Sequence, residues 1–436
     1  MSKNIVIAKE VLKELVNVLT PFKNGKNTIC FQIGAGMAGE ENVKCYATLV
    51  NGSMQQKALF VVKKPGDYVE GELYSSFNAK AETFLAFANA FLEYNQDVQL
   101  ELADASTTFR VTSGNNAEIS IPTVADDQLE PPIPAVNKNL QVLTISTDAE
   151  KLRGLLRKGA FLAMANDTRG ITDRGFFVAE EKALSVTSTD ASSIASATAE
   201  AQIMLNKVVL AALALSEMTE KIRDEDERTA FEKETEAAFT SGTLEKVAEE
   251  KGVDLNTFNF ALTKNAIDTL KAILKGGQVS MILDDKHLYV KNGNTLSAYT
   301  LADASKYVSF KDMISKFDAV EVAAKVVLDS EQMTKAINIL SLKDSLGKNE
   351  HPNPFAIKAK KGALVLDYDG DMSNLALTES DGELKKIKAN VMGMPLKNII
   401  GSLDKGNLVL TFPAEEKLLC GLKMVRSLET TGRSST

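Results

Sequence analysis

Two short stretches of the chain have the residue types and spacing of ligand loops. Gly34 to Gly39, GAGMAG, satisfies GxGxxG and follows the strand-like NTICFQI. A dinucleotide loop of that kind needs a helix opening directly behind the glycines, so that its N-terminus meets the pyrophosphate. The chain continues instead as EENVKCYATLV, a strand pattern, and the glycines are read as a hairpin loop. Asp367 to Asn374, DYDGDMSN, opens like a calcium loop. Its glycine stands at the fourth position, where the sixth is needed, and Thr378 occupies the place of the bidentate glutamate. It is read as the turn of a hairpin between ALVLDY and NLALTE.

Other side-chain chemistry is sparse. Histidine catalysis or ligation has only His287 and His351 to draw on, and His287, in the turn DDKHLYV, is expected to be exposed. Cys30, Cys45 and Cys420 form no CxxC pair and suit buried thiols in a reducing compartment. Spacing singles out no pair of carboxylates. The expectation is a protein that is not an enzyme and holds neither metal nor cofactor.

What remains is cationic charge placed at helical spacing, and its chemistry is attraction for a polyanion. In TKNAIDTLKAILK the apolar face is Ala266, Ile267, Leu270 and Leu274, opposite Lys264, Asp268, Lys271 and Lys275. In DAEKLRGLLRK the apolar residues Leu152, Leu155 and Leu156 leave Lys151, Arg153, Arg157 and Lys158 to solvent. PLKNIIGSLDK buries Leu396, Ile399, Ile400 and Leu403, and exposes Lys397 and Lys405. Six such helical windows carry a net +4 in a chain whose net charge is −8. Solvation of amphipathic helices explains any one stripe. Six stripes on one surface would add into a field that a phosphate backbone feels without base contacts.

The elements behind these helices repeat. NAKAETFLAFANAFLEYN, Asn78 to Asn95, precedes VQLELADASTTFRVTSGNNAEISIPTVADD; TKNAIDTLKAILKGG precedes VSMILDDKHLYVKNGNTLSAYTLADA. Each reads as a helix followed by a three-strand antiparallel meander. A weaker third copy runs from Pro395 to Val425. Between the copies, NIVIAKEVLKELVNVLT, LQVLTISTDAEKLRGLLRKGAF and AVEVAAKVVLDSEQMTKAINIL share a plan of strand, helix and further strands. Six half-units in three pairs imply an α+β protein of three tandem domains.

Boundaries agree with that count. DDQLEPPIPAVNKN, Asp126 to Asn139, holds three prolines and reads as an extended linker, and a second junction is placed around Ser309 to Asp318. The expected domains are 1–130, 138–312 and 318–430, with an acidic helical insertion at about 205–254. Within it, Ser216 to Gly252 holds 12 acidic and 6 basic residues, a net −6. At 436 residues, 44% hydrophobic and 25% charged, the composition is that of a globular protein. The longest apolar run, VVLAALAL, is too short to span a bilayer and no charged-then-apolar signal segment opens the chain, so a cytoplasmic protein without membrane contact is expected.

Three domains of two helix-plus-meander halves, with cationic helices, resemble the bacterial sliding clamp, the β subunit of DNA polymerase III. FALTKNAIDTLKAILKGGQVSMILDDKHLYVKNGNTLSAYTL looks like the second half of the clamp's middle domain. TSTDASSIASA, Thr187 to Ala197, is similar to the family's Thr-Asp-Gly-His-Arg-Leu stretch, with Thr189 and Asp190 retained, and GLKMVRS is similar to its terminal Met-Pro-Met-Arg strand. The resemblance implies a DNA-clamp fold closing as a ring in a head-to-tail homodimer, around double-stranded DNA. It further implies tethering of a replicative DNA polymerase, with a clamp loader as a further partner and no cofactor. Lys151, Arg153, Arg157, Lys158, Lys264, Lys271, Lys275 and Lys397 would face DNA. A cleft for short hydrophobic peptides would be lined by Thr189, Ala191, Ser192, Ile194, Phe310, Met424 and Val425.

The sequence also departs from the family. Ala191-Ser192-Ser193-Ile194 replaces Gly-His-Arg-Leu, the proline is absent from KMVRS, and the last meander is one strand short. Such departures fit a divergent clamp of the kind a phage or mobile element with its own polymerase would encode. The rival reading is a non-catalytic structural ring or assembly protein, for example of a virion. A dinucleotide enzyme built on GAGMAG is the third.

Overall fold

The computed structural model describes residues 3–103, 106–111, 118–125, 130–165, 170–190, 194–307, 315, 319, 321–342, 354–360, 362–392, 406–413 and 423–426. The first elements are β1 (Lys3–Ile7), α1 (Lys9–Leu19), β2 (Thr28–Ile33), β3 (Asn42–Asn51), β4 (Met54–Lys63), β5 (Ser75–Lys80) and α2 (Ala81–Leu92). The first meander, β6 (Val98–Leu102), β7 (Ser106–Val111) and β8 (Glu118–Pro122), follows. After the linker come β9 (Leu143–Asp148), α3 (Ala149–Gly159), β10 (Arg174–Glu180), β11 (Ala183–Thr189), β12 (Ile194–Glu200) and β13 (Gln202–Leu205). Three consecutive helices, α4 (Lys207–Lys221), α5 (Glu225–Ser241) and α6 (Leu244–Glu250), interrupt this plan before β14 (Thr257–Thr263) and α7 (Lys264–Ile273). The second meander is β15 (Gln278–Leu283), β16 (His287–Asn292) and β17 (Thr295–Thr300). The remainder is β18 (Val322–Asp329), α8 (Ser330–Leu340), β19 (Pro354–Lys360), β20 (Ala363–Tyr368), β21 (Asp371–Gly382), β22 (Lys388–Met392), β23 (Asn407–Pro413) and β24 (Lys423–Arg426).

The chain forms two compact units, one of Met1–Leu155, Phe177–Ser185 and Thr198–Asp303, the other of Leu156–Phe176, Val186–Ala197 and Ala304–Thr436. The first unit contains a nine-stranded sheet in the order β13-β9-β15-β16-β17-β4-β3-β2-β5 and a four-stranded sheet β1-β6-β7-β8. In the large sheet the second meander joins strands from the start of the chain through β17 and β4, with Ser297 opposite Gln56 and Leu296 opposite Lys57. The Ser297 hydroxyl donates to Gln56 Oε1 across this seam. The described part of the proline-rich linker, from residue 130, runs alongside and ends in a 3-10 turn at Lys138–Leu140: Ile133 N donates to Gln55 Oε1 at 2.6 Å, and the Tyr289 hydroxyl donates to Pro134 O at 3.0 Å.

In the second unit a seven-stranded sheet, β22-β19-β20-β21-β18-β23-β24, packs its inner face on α8. Met333, Ala336, Ile337 and Leu340 of the helix meet Val326, Leu328, Phe355, Leu366 and Leu410 of the strands. Spacing of three and four on the helix and of two on the strands brings one apolar stripe against one apolar face. The third meander is described as two strands, β23 and β24, paired with Val409 opposite Val425 and Leu410 opposite Met424. The proposed helix at 395–405 lies outside the described residues, as do His351 and Cys420.

Both ligand-like loops are turns. The glycines of GAGMAG connect β2 to β3, with Gly34, Gly36 and Gly39 at φ of 71°, 131° and 85°. A side chain at Gly34 would also meet the Tyr74 Cβ at 2.7 Å. DYDGDMSN is the β20–β21 hairpin: Asp369 and Gly370 form a two-residue turn with φ of 51° and 83°, the left-handed pair that a tight hairpin demands. Among the described residues no cluster of three His, Cys, Asp or Glu could hold a metal, and no helix is long and apolar enough to cross a membrane.

Two expectations need correction. The helix foreseen from Asn78 begins at Ala81, because Phe77 and Ala79 alternate inward as part of β5 and Phe77 stacks on Phe31 at 4.5 Å. His287 is not exposed: its side chain is 15% accessible and it opens β16. The buried carboxylate of Asp284 draws it in, accepting from the backbone N–H groups of Lys286 and His287 at 2.9 and 2.7 Å and from the Tyr289 hydroxyl at 3.0 Å. An ionised carboxylate away from water requires such donors, and this turn supplies them locally.

Candidate nucleic-acid interface

The cationic helices start and stop for local reasons. Asp148 ends β9 and opens α3 by accepting from Glu150 N at 2.8 Å and Lys151 N at 3.3 Å. Thr263 does the same for α7 through Ala266 N at 3.4 Å. At the other end of α7, Gly276 and Gly277 take positive φ. At the end of α3, Gly159 lies where a Cβ would approach Val186 O to 2.4 Å, and its carbonyl accepts from the Ser188 hydroxyl at 2.8 Å.

Both apolar stripes are buried as their spacing predicts: Leu152, Leu155 and Leu156 on α3, and Ala266, Ile267, Leu270 and the following Leu274 at α7. The cations opposite them differ in freedom. Lys151 lies 3.8 Å from Glu200, and both are largely exposed, so the pair adds little stability. Arg153 and Lys275 make no ion pair among the described residues, and Arg157 is exposed beside a half-buried Lys158. Lys264 and Lys271 share the carboxylate of Asp268, Lys271 at 3.2 Å, and Lys264 keeps only 19% of its side chain accessible. The spacing of Asp268, four after Lys264 and three before Lys271, signals this pairing in the sequence, and a count of net charge hides it. Lys397 lies outside the described residues.

The residues expected at a peptide cleft are described in part. Thr189 is buried, and Ile194, half-buried, begins β12. Beside them the Thr187 and Ser196 hydroxyls are 3.1 Å apart. Met424 and Val425 are placed by their pairing in β24. Ala191, Ser192 and Phe310 lie outside the described residues.

Across solved structures this arrangement recurs over the whole chain. The β subunit of DNA polymerase III from Thermotoga maritima superposes with a TM-score of 0.68, covering 99% of this chain and 97% of that one at 11% identity. The fold is that of the bacterial sliding clamp. The sliding clamp of Bacillus subtilis gives a TM-score of 0.64 at 15% identity, covering 94% of this chain and 92% of its own. The Helicobacter pylori β clamp, solved bound to a DNA ligase peptide, gives 0.64 at 13% identity, covering 94% of each chain. No family model and no curated protein matches the sequence. The α+β clamp fold therefore stands here on a sequence only 11–15% identical to those of the solved structures it matches.

Proposed function

We propose that the protein is a divergent sliding clamp, which encircles duplex DNA and tethers a replicative polymerase. The observation that carries this reading is the clamp fold itself, matched over 94–99% of the chain. In this reading the chain comprises three domains, 1–130, 138–312 and 318–430, and two chains close head to tail, a heterologous contact whose rotation closes. The exposed apolar Ile339 and Leu342, at and just beyond the end of α8, supply surface for such a contact. Lys151, Arg153, Arg157, Lys158, Lys264, Lys271, Lys275 and Lys397 face the DNA. Thr189, Ala191, Ser192, Ile194, Phe310, Met424 and Val425 line the peptide cleft, and a loader opens the ring. Enclosure makes retention topological, so weak, mobile phosphate contacts suffice and no catalytic group is needed.

The test is retention on DNA of closed and open topology. Protein assembled on nicked circular DNA should elute with the circle and be lost when a single restriction cut linearises it. Equal retention on circle and linear fragment would sink enclosure. A mass in solution other than that of a dimer would sink the ring as stated and favour an assembly protein.

A further inference from the structure

The nine-stranded sheet of the first unit is cationic in a chain of net charge −8. Its outward positions, which alternate with the buried Phe31, Cys45, Phe60 and Tyr299, include Lys44, Lys57, Lys63, Lys80 and Lys291. The nine strands contain a single carboxylate, that of Asp148 at the end of β9, and it is taken up in capping α3. None of the five lysines makes an ion pair among the described residues. The four-stranded sheet of the same unit is built the other way. There Arg110 of β7 lies 2.9 Å from Glu101 of β6 and 3.0 Å from Glu118 of β8, so its cation is neutralised across both neighbouring strands. Carboxylates near the large sheet stand at its margins: Glu41 just before β3, Asp285 beside Lys286 in the β15–β16 turn, and Glu130 of the linker, which accepts from Gly52 N at 2.8 Å.

Lysines and apolar side chains are interleaved at the centre of this face. One cross-strand row runs Lys291, Leu296, Lys57 and Thr48, on β16, β17, β4 and β3. Leu296 is 42% accessible, and the two lysines that flank it stand two strand spacings, about 10 Å, apart. Along β4 the exposed Val61 continues the apolar surface, with Lys44 opposite it. We propose that this face docks a segment of a protein partner whose apolar side chains are flanked by aspartate or glutamate. Lysines that the sheet leaves uncompensated would be met by carboxylates, which set register and steer the approach, while Leu296 and Val61 take the apolar anchor. Tyr46 has Lys57 Nζ 4.3 Å from its ring centre, so a base would have to displace the lysine to stack there, which favours a peptide over a nucleic-acid strand. None of these residues belongs to the proposed DNA face or peptide cleft, so the surface is tested without the ring and its failure leaves the clamp reading untouched.

Fluorescence anisotropy with the full chain, three labelled short peptides and a labelled single-stranded oligonucleotide makes the test. One peptide has a central leucine pair flanked by glutamates, the second replaces the glutamates with lysines, and the third replaces the leucines with serines. The first should bind about tenfold tighter than either of the others. Lys57→Glu combined with Lys291→Glu, and separately Leu296→Ser, should each weaken it by about tenfold while the thermal transition stays unchanged. No binding of the first peptide, equal binding of all three, or full binding by the variants would overturn the proposal. Oligonucleotide binding that is tighter than the first peptide's and is lost on the double charge reversal would also overturn it, giving the face to nucleic acid. So would a fall in oligomer mass on that reversal, which would give the face to the acidic helices of a second copy of the chain.

Discussion

The helices α2 and α7 hold corresponding places, each following a strand and leading into a three-strand meander, and they differ on only one side. Phe84, Leu85, Ala88 and Phe91 of α2 are buried at the same spacing as Ala266, Ile267, Leu270 and Ile273 of α7. On the outer side α7 carries Lys264, Asp268 and Lys271, followed by Lys275, whereas α2 exposes Glu82, Ala86, Asn89 and Ala90 and contains no lysine or arginine. Duplication of the unit has therefore preserved the face that packs and released the face that meets solvent. The cations of α7 are therefore not a property of the repeat.

If the inner faces are equivalent, breaking either should cost a comparable amount. Phe84 packs against Phe31 and Phe109, with ring centres at 4.6 and 5.3 Å, and Leu270 is fully buried. Phe84→Ala and Leu270→Ala should each destabilise the fold by about 3–5 kcal/mol, the cost of lost transfer energy plus an unfilled cavity. Chemical denaturation measures both. A loss below about 1 kcal/mol at one site only would mean that the two stripes are not equivalent supports.

The outer faces should part company. Replacing Arg153 and Lys275 together by alanine removes two cations that make no ion pair among the described residues, and should lower the salt slope of DNA retention by about 2. Replacing Asn89 and Ala90 of α2 by serine should leave that slope unchanged. Equal effects from the two pairs would end the assignment of DNA contact to α3 and α7.

The pattern of what the sequence disclosed follows from the same division. Periodicity is imposed by packing, so the buried stripes of α3 and α7 and the two complete meanders were legible from spacing, whereas the insertion was legible only as helical and acidic, without its count of three helices. The turns at Gly34–Gly39 and Asp369–Gly370 were legible because a missing helix and a misplaced glycine excluded the ligand readings. His287 was misread because its neighbour Asp284 is buried by contacts with Tyr289, whose hydroxyl also holds Pro134 of the distant linker. No local pattern announces a bond across 155 residues. The lysine face around Leu296 was hidden for a similar reason, since only the fold brings β16 and β17 beside β4 and β3.

Asp268 decides how much of the α7 stripe is usable. Its carboxylate lies between Lys264 and Lys271, so a phosphate must compete with a partner already in place. The pair is partly exposed, and such ion pairs add at most about 1 kcal/mol, so Asp268→Asn should change stability by no more than that. Retention on circular DNA should nonetheless rise, with a salt slope steeper by up to about 2, because both ammonium groups become free to displace counterions. An unchanged slope would show that Lys264 and Lys271 do not meet phosphate, leaving α3 and Lys275 to carry the contact. A weaker retention would show that Asp268 holds the lysines where the backbone passes, making the pairing a positioning device instead of a competitor.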